Sequence, residues 1–396
     1  MEKEIIKQLV ETESTPAYVF DVDRLCQRVE YIKAKCGNTP QIELCYAMKA
    51  NPFLIKPLNS VINKFEVCSH GELCICKDKD IDMLKVVLSG VNKERQDVLQ
   101  ALEWGVRTYT IESLSQLELM DECTRKAGTD IHILLRLSSG NQFGMDRDVI
   151  ETIIEHREEY PHLLIEGIQY YSGTQKKDAK VLEELSELDA LCGEIEEKYQ
   201  FDISVLEYGP GFGIGYFSKE DTEEVSDECA EAFRKIAGKR HLTLEMGRFL
   251  TADCGCYITT VVDVKQNAGQ RYCIVDGGIN HVNYFGQVMG VRVPPVRFYQ
   301  REDKDISERE IKDPADKKGG LCICGSLCTS ADVLVRNINI EQVNAGDVFV
   351  FEKIGAYSVT EGIYLFLSRR MPKIYLLEHN ELILARDTVE TYRVNQ

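Results

Sequence analysis

The sequence has no apolar run long enough to cross a bilayer, so a membrane role is not expected. Its opening residues, Met1-Glu2-Lys3-Glu4, lack a basic stretch leading into an apolar one, and no export signal is expected. Positive charge is short: 47 Lys and Arg stand against 65 Asp and Glu, a net charge of −18. Such a field repels phosphate backbones and argues against nucleic acid as a partner. Repeats of solenoid period and low-complexity tracts are missing as well. The 15 cysteines include no C-x2-C pair of pairs at zinc-finger spacing, so no metal is expected. An odd number of thiols without an export signal reads as reduced cysteine in the cytoplasm. Three C-x-C pairs, Cys74/Cys76, Cys254/Cys256 and Cys322/Cys324, would each put both thiols on one face if they lay in strands.

What is present is ordinary globular composition, 44% hydrophobic and 28% charged over 396 residues. That supports a large core and two or three domains. Residues 1–14 read as a short polar helix, and from Thr15 strand and helix patterns alternate. Pro16–Phe20 is a strand, and Asp21–Lys35 carries helical spacing. Gln41–Met48 alternates, with Ile42, Leu44, Tyr46 and Met48 on one face. Short apolar strands follow at Val86–Leu88, Arg107–Ile111, Ile131–Leu137, Ile165–Tyr170, Val205–Tyr208 and Leu242–Glu245. Helical stretches separate them at Val98–Trp104, Leu114–Ala127, Val149–Glu158, Val181–Lys198 and Ala230–Ile236. About eight βα units imply an α/β fold, a TIM (β/α)8 barrel. After residue 250 strands dominate: Cys256–Val264, Arg271–Val275, Leu321–Cys324, Asp347–Glu352, Tyr364–Leu367 and Lys373–Tyr375. These suggest an antiparallel β domain. The dense mixed charge of Arg301–Lys318 reads as a solvated surface loop.

Three segments carry chemistry. Lys49 ends the alternating strand, at the rim where such barrels place their active sites. An amine there can form a Schiff base with a carbonyl, although a strand-end lysine also serves as a plain solvated charge. Gly209-Pro210-Gly211-Phe212-Gly213 follows a late strand, where glycines let backbone N–H groups approach a phosphate or simply make a tight turn. Glu245-Met246-Gly247-Arg248 puts a carboxylate and a guanidinium at the same rim, either as a surface ion pair or as partners of a ring nitrogen and a phosphate.

Together these pieces resemble the pyridoxal-phosphate decarboxylases of fold type III, which have an alanine-racemase-like barrel and include the diaminopimelate, ornithine and arginine decarboxylases. Tyr46-Ala47-Met48-Lys49-Ala50-Asn51 resembles the family's Y-A-x-K-A-N. Glu66-Val67-Cys68-Ser69-His70-Gly71-Glu72-Leu73 resembles D-x-x-S-x-G-E-L, with Glu66 for Asp. Gly209–Gly213 resembles G-G-G-F-G, and Glu245–Arg248 resembles E-P-G-R. Cys328 stands at the family's catalytic cysteine, and Gly355-Ala356-Tyr357 matches G-A-Y. The resemblance implies a barrel over 24–250, with 1–23 and 251–396 forming a sandwich- or barrel-like β domain. It implies pyridoxal 5'-phosphate held by Lys49. Glu66, Tyr171, Gly211, Phe212, Gly213, Glu245, Gly247, Arg248 and Tyr357 would be its other contacts, and Cys328 would be a general acid supplied by the partner of a homodimer.

Departures narrow the expectation. The family's G-[IL]-H-x-H-[IV]-G-S-Q is here Gly167-Ile168-Gln169-Tyr170-Tyr171-Ser172-Gly173-Thr174-Gln175, so Tyr171 replaces the histidine that stacks on the ring. The acidic residue that follows the cysteine in diamine-handling members, and pairs with a distal ammonium, is Thr329 here. Asp276–His281 and Phe285–Val288 lack the R-P-x-L-Y clamp for a distal carboxylate. With Phe366-Leu367-Ser368 they resemble a subgroup that includes the butirosin-pathway decarboxylase, which acts on a glutamyl group tethered to a carrier protein. The expected substrate is therefore an amino acid or carrier-bound aminoacyl group without a distal ammonium. Diaminopimelate decarboxylation is the alternative. An amino-acid racemase on the same fold, disfavoured by Glu245, and a non-catalytic cofactor carrier are the rivals.

Overall fold

The computed structural model describes residues 3–12, 14–217, 223–303, 305–311 and 320–396. The chain divides into two units. One comprises residues 26–214 and 222–250; the other comprises 1–25, 215–221 and 251–396.

Strand β1 (Ala17–Asp21) belongs to the second unit. The next eight strands close a parallel barrel: β2 (Ile42–Ala47), β3 (Lys64–Val67), β4 (Val86–Leu88), β5 (Thr108–Ile111), β6 (Ile131–Arg136), β7 (Leu163–Tyr171), β8 (Val205–Gly209) and β9 (His241–Met246). β9 pairs back onto β2 through Ile42–Leu242 to Tyr46–Met246. One connecting helix shows capping at both ends. Ser113 caps Leu114–Ala127 by accepting from Gln116 N, and Gly128, at φ 62°, ends it.

Two elements of the barrel are absent from the sequence reading. β3 carries a glutamate in its middle, which hides a short buried strand from an apolar-run criterion. The helix that follows, His70–Asp78, contains Cys74 and Cys76, so that C-x-C pair is helical and its thiols do not share a strand face. In β7 the pairing with β6 slips between Ile165 and Gly167. The resulting bulge resets the alternation, so that Gly167, Gln169 and Tyr171 line the interior.

The second unit is built on strands β10 (Gly255–Asn267), β11 (Gln270–Val275), β12 (Val296–Glu302), β13 (Asp305–Arg309), β14 (Leu321–Cys324), β15 (Val333–Ile338), β16 (Val348–Glu352), β17 (Lys373–Glu378) and β18 (Glu381–Arg386). The order β13-β12-β16-β10-β1-β17-β18 is antiparallel except for β1–β17, and β11 pairs in parallel with β14. Helix Lys3–Glu11 lays Ile5, Ile6, Leu9 and Val10 against Val19, Ile258, Val348 and Val350. Burial of this kind is worth about 1.5–3 kcal/mol per side chain as an upper bound.

Two expectations are corrected in this unit. Tyr364–Leu367 is not a strand: Phe366–Ser368 is a 3-10 turn with Leu367 at φ 59°, and Leu365, Phe366 and Leu367 stay exposed, with no face to bury. The charged run from Arg301 is not one loop, because Asp305–Arg309 pairs with β12 as a hairpin arm; the Arg309 side chain forms an ion pair with Glu302 of that strand, which suits a solvated sheet edge. The remainder of that run, 312–319, lies outside the described residues.

A Cβ on Gly167 would lie 1.7 Å from the Val205 carbonyl oxygen across β7 and β8. Gly167→Ala is expected to lower stability by about 3 kcal/mol; urea unfolding checks this, and an unchanged midpoint would contradict the packing described.

Candidate active site

The C-terminal ends of the barrel strands converge on Lys49. β2 stops at Ala47, and Lys49 stands in the 3-10 turn Met48–Ala50, one turn beyond the strand on which it was expected. Its Nζ donates to Glu66 of β3, and to Glu245 Oε1 of β9 at 3.3 Å. Glu66 and Glu245 are almost wholly buried, whereas Lys49 keeps about a third of its side chain open. Gln169 of β7 donates Nε2–H to Glu245 Oε2 at 3.1 Å. The Cys68 thiol donates to Glu66 Oε1 at 3.3 Å.

Burial disfavours charge on both carboxyl groups, and their fates differ. For Glu66, burial is the largest influence and opposes charge, but the Lys49 ammonium together with hydrogen bonds from Lys49, Glu245 and Cys68 holds the group below its usual range. For Glu245, burial and then the charge of Glu66 push it up to about 7, against the pull of Lys49. One carboxylate stays ionised beside the amine, while the other sits where a proton is readily held.

The motif around Glu66 owes much to its helix. Ser69 Oγ accepts from Glu72 N at 3.2 Å, and the Glu72 carboxylate reaches back to Cys68 N at 2.7 Å. This reciprocal cap anchors the turn that carries Cys68 to Glu66.

The glycine loop after β8 is a close-approach turn. Gly211 has φ 58°, and a Cβ there would lie 2.0 Å from the Gly173 carbonyl oxygen. Lys176 N donates to Gly211 O at 2.9 Å, and Ile214 N donates to Gln175 Oε1 at 2.6 Å. Behind the loop, the buried Lys176 ammonium binds Glu184 at 2.7 Å and the Gly209 carbonyl at 3.0 Å, while Tyr208 OH donates to Glu184 at 2.7 Å. Lys176, Glu184, Gln169 and Cys68 had no assigned role in the sequence reading. No spacing motif carries them.

The other predicted residues fall as follows. Tyr171 ends β7 half-buried, its ring against Gly209, where any side chain would strike it. Gly247 leaves room for Ala47 and Ala50 beside β9, and Arg248 begins the short helix Arg248–Thr251. Phe212 is placed differently from a ring contact. Its side chain is buried against Phe249 and Phe233, at 4.9 and 6.2 Å between centroids, which leaves only its backbone for a ligand. Cys328, Thr329 and Tyr357 belong to the other unit. There Cys328 and Thr329 are exposed on a loop held by Asp332, whose carboxylate accepts from Ile279 N at 2.8 Å and Leu327 N at 2.7 Å. Tyr357 adopts φ 68°, and its carbonyl accepts from Glu361 N at 2.8 Å.

Residues 23–252 match the family model described as "Pyridoxal-dependent decarboxylase, pyridoxal binding domain". The chain belongs to this family. Among curated relatives, the L-glutamyl-[BtrI acyl-carrier protein] decarboxylase of Niallia circulans is 26% identical over 97% of this chain and 94% of its own. The 2-[(L-alanin-3-ylcarbamoyl)methyl]-2-hydroxybutanedioate decarboxylase of Staphylococcus aureus is 26% identical over 95% and 98%. The diaminopimelate decarboxylase of Aquifex aeolicus is 27% identical over 96% and 91%. The crystal structure of AQ1208 from Aquifex aeolicus superposes with a TM-score of 0.84 at 25% identity, covering 98% of this chain and 92% of that one. This decarboxylase is thus a carboxy-lyase that uses pyridoxal 5'-phosphate, and its fold is the (β/α)8 barrel with a separate, mainly antiparallel β domain. The residues present fit that cofactor. An amine lies between two buried carboxyl groups, one of them raised towards neutrality, and a left-handed glycine turn admits no side chain.

Because Glu66 is held below its ordinary value, near 4.3, its contribution to stability is present above that value and lost as pH falls through its lower folded value. Lys49→Met in the cofactor-free protein is expected to cost about 1–2 kcal/mol at about pH 7.5, a figure discounted for the exposure of Lys49. The deficit should shrink towards about pH 5 as the orphaned carboxyl groups take up protons. Urea unfolding at both pH values checks this, and an equal deficit at both would contradict the coupling.

Proposed function

We propose that this enzyme decarboxylates, at Cα, an amino acid or carrier-bound aminoacyl group that lacks a distal ammonium. The observation that carries this reading is Thr329, which follows Cys328 on the loop held by Asp332. A buried ammonium without a carboxylate partner loses about 3 kcal/mol, or roughly 10²-fold in affinity. The names of the Niallia and Staphylococcus relatives describe a glutamyl group on a carrier and an alanyl adduct of a hydroxy-dicarboxylate. Both extend the amino acid by something other than an amine.

When bound, pyridoxal phosphate supplies an electron sink for the pair released as the Cα–carboxylate bond breaks. The rest falls to the chain. Lys49 Nζ would be the residue that holds the cofactor's aldehyde carbon. Glu245 would face the pyridine nitrogen and help to hold its proton, with Glu66 as the second carboxyl partner of Lys49 Nζ. Gly211, Gly213 and the backbone of Phe212 present N–H groups to the phosphate, with the Arg248 guanidinium and the Tyr357 hydroxyl as further partners. Gly247 keeps the turn before Arg248 narrow. Tyr171 offers a flat face to the ring in place of an imidazole, so no proton transfer is assigned to it. Cys328 Sγ delivers a proton at Cα. Two copies of the chain form the working unit, each supplying Cys328 to the other, in a reducing compartment such as the cytoplasm that keeps the 15 free cysteines as thiols.

The test is carbon dioxide release over free glutamate, diaminopimelate, lysine and ornithine, and over a glutamyl group presented on an acyl-carrier protein. The diamino acids are expected to have kcat/KM at least ~10²-fold below the best substrate; diaminopimelate as the best substrate would overturn the reading. Cys328→Ala is expected to lower kcat by roughly 10²-fold while the cofactor absorbance stays as in the parent. Unchanged turnover would remove the proton-donor role.

A further inference from the structure

One layer below Glu245, the interior of the barrel holds a polar group with no task so far. Gln169, Glu207 and Thr243 are cross-strand partners on β7, β8 and β9, all three buried. Among the described residues, both carboxyl oxygens of Glu207, Oε1 of Gln169 and Oγ1 of Thr243 have no hydrogen-bond partner. The opposite end of the Gln169 amide is committed, because its Nε2 donates to Glu245 Oε2 at 3.1 Å.

The charged groups around Glu207 offer it no dedicated counter-ion. Glu245 faces it from β9, Lys64 and Glu66 from β3, Lys49 from the turn after β2, and the Cys45 thiol from β2. Lys64 is bound to Glu43 at 3.1 Å, and Lys49 to Glu66 and Glu245. Burial, then the charge of Glu245, pushes Glu207 up to about 8. A neutral carboxylic acid has one O–H to donate, and the Gln169 oxygen is an acceptor without a donor one strand away, at a strand spacing of about 4.8 Å.

We propose that Glu207 is a positioning residue: as a neutral acid it donates its O–H to Gln169 Oε1 and so keeps the Gln169 N–H directed at Glu245. An amide is nearly symmetric in shape, so only its partners decide which end faces which way. With its proton, Glu207 keeps a donor on Glu245 and favours the ionised form of that carboxyl. Without its proton, Glu207 can only accept. The amide then turns over, shows its oxygen to Glu245, and favours a proton there. Glu207 thereby sets the protonation of a group it does not touch. This rests on the reading of Glu245 as the partner of the pyridine nitrogen, and the experiment separates the two.

Glu207→Gln keeps a donor for Gln169 at every pH, and Glu207→Leu provides none. In the cofactor-free protein, the infrared carbonyl stretch of protonated carboxylic acid is expected to include a component that is lost as pH rises through about 8; that component should be missing from Glu207→Gln, while the one from Glu245, which titrates near 7, should remain. An acid with a raised value stabilises the fold fully below its ordinary value and loses that contribution as pH rises through its folded one. The melting temperature of the parent should therefore fall relative to Glu207→Gln between about pH 5 and pH 8. In the reconstituted protein, the pH titration of cofactor absorbance should lose its transition near pH 8 in Glu207→Gln, whereas Glu207→Leu should show the high-pH spectrum throughout. No protonated-acid signal from Glu207 near neutrality, or a Glu207→Leu titration identical to that of the parent, would overturn the proposal. An infrared signal together with a cofactor spectrum indifferent to Glu245→Gln would overturn the reading of Glu245 instead.

Discussion

The barrel interior of this protein depends on one compensation, the Lys49 ammonium set against buried acidic side chains. Three glutamates, 66, 207 and 245, point into the barrel from β3, β8 and β9. Burying even one ionised carboxylate is costly, and burying several side by side compounds the cost. The chain handles this unevenly. Lys49 keeps Glu66 charged, whereas Glu245 and Glu207 drift towards the neutral form. The result is a set of chemically identical side chains with different proton affinities within one barrel interior, a common basis for dividing acid and base roles.

Around this cluster the backbone is arranged for narrow clearances. The turn after β8 brings Gly211 against Gly173, and Gly247 fits beside two alanines. In the other unit, Asp332 binds two backbone amides and so holds the Cys328 loop from below, while Gly278 and Gly325 leave space for its carboxylate. Both loops are shaped by polar anchors that carry no reactive group. Lys176 with Glu184 does in the barrel what Asp332 does in the β unit.

The fold was legible to the extent that it obeyed simple periodicity. Strands such as Val86–Leu88 and Leu321–Cys324, and the helix Leu114–Ala127, stand where apolar spacing put them. β3 escaped because Glu66, the partner of Lys49, breaks the apolar run that would have revealed it. Tyr364–Leu367 misled for the opposite reason: its aromatic residues favour strand, and the exposure of Leu365, Phe366 and Leu367 cannot be read from composition. In the site, the lysine, the glycine turn and the E-M-G-R stretch were legible as chain-ordered motifs. Gln169 and Glu207 were not, because their importance comes from cross-strand register, and a bulge in β7 sets that register. A one-residue slip has no signature in a single sequence.

That bulge also divides the strand into two separately adjustable halves. Below Glu166 the side chains follow one parity, and above it they follow the other. Losing the extra residue would swap the lining of the upper barrel at a stroke, turning Ile168 and Tyr170 towards the lumen and the amide and phenol towards the surrounding helices. The catalytic end can therefore be polar while the floor keeps its own pattern, and a single inserted peptide unit is enough to let one continuous strand serve two environments.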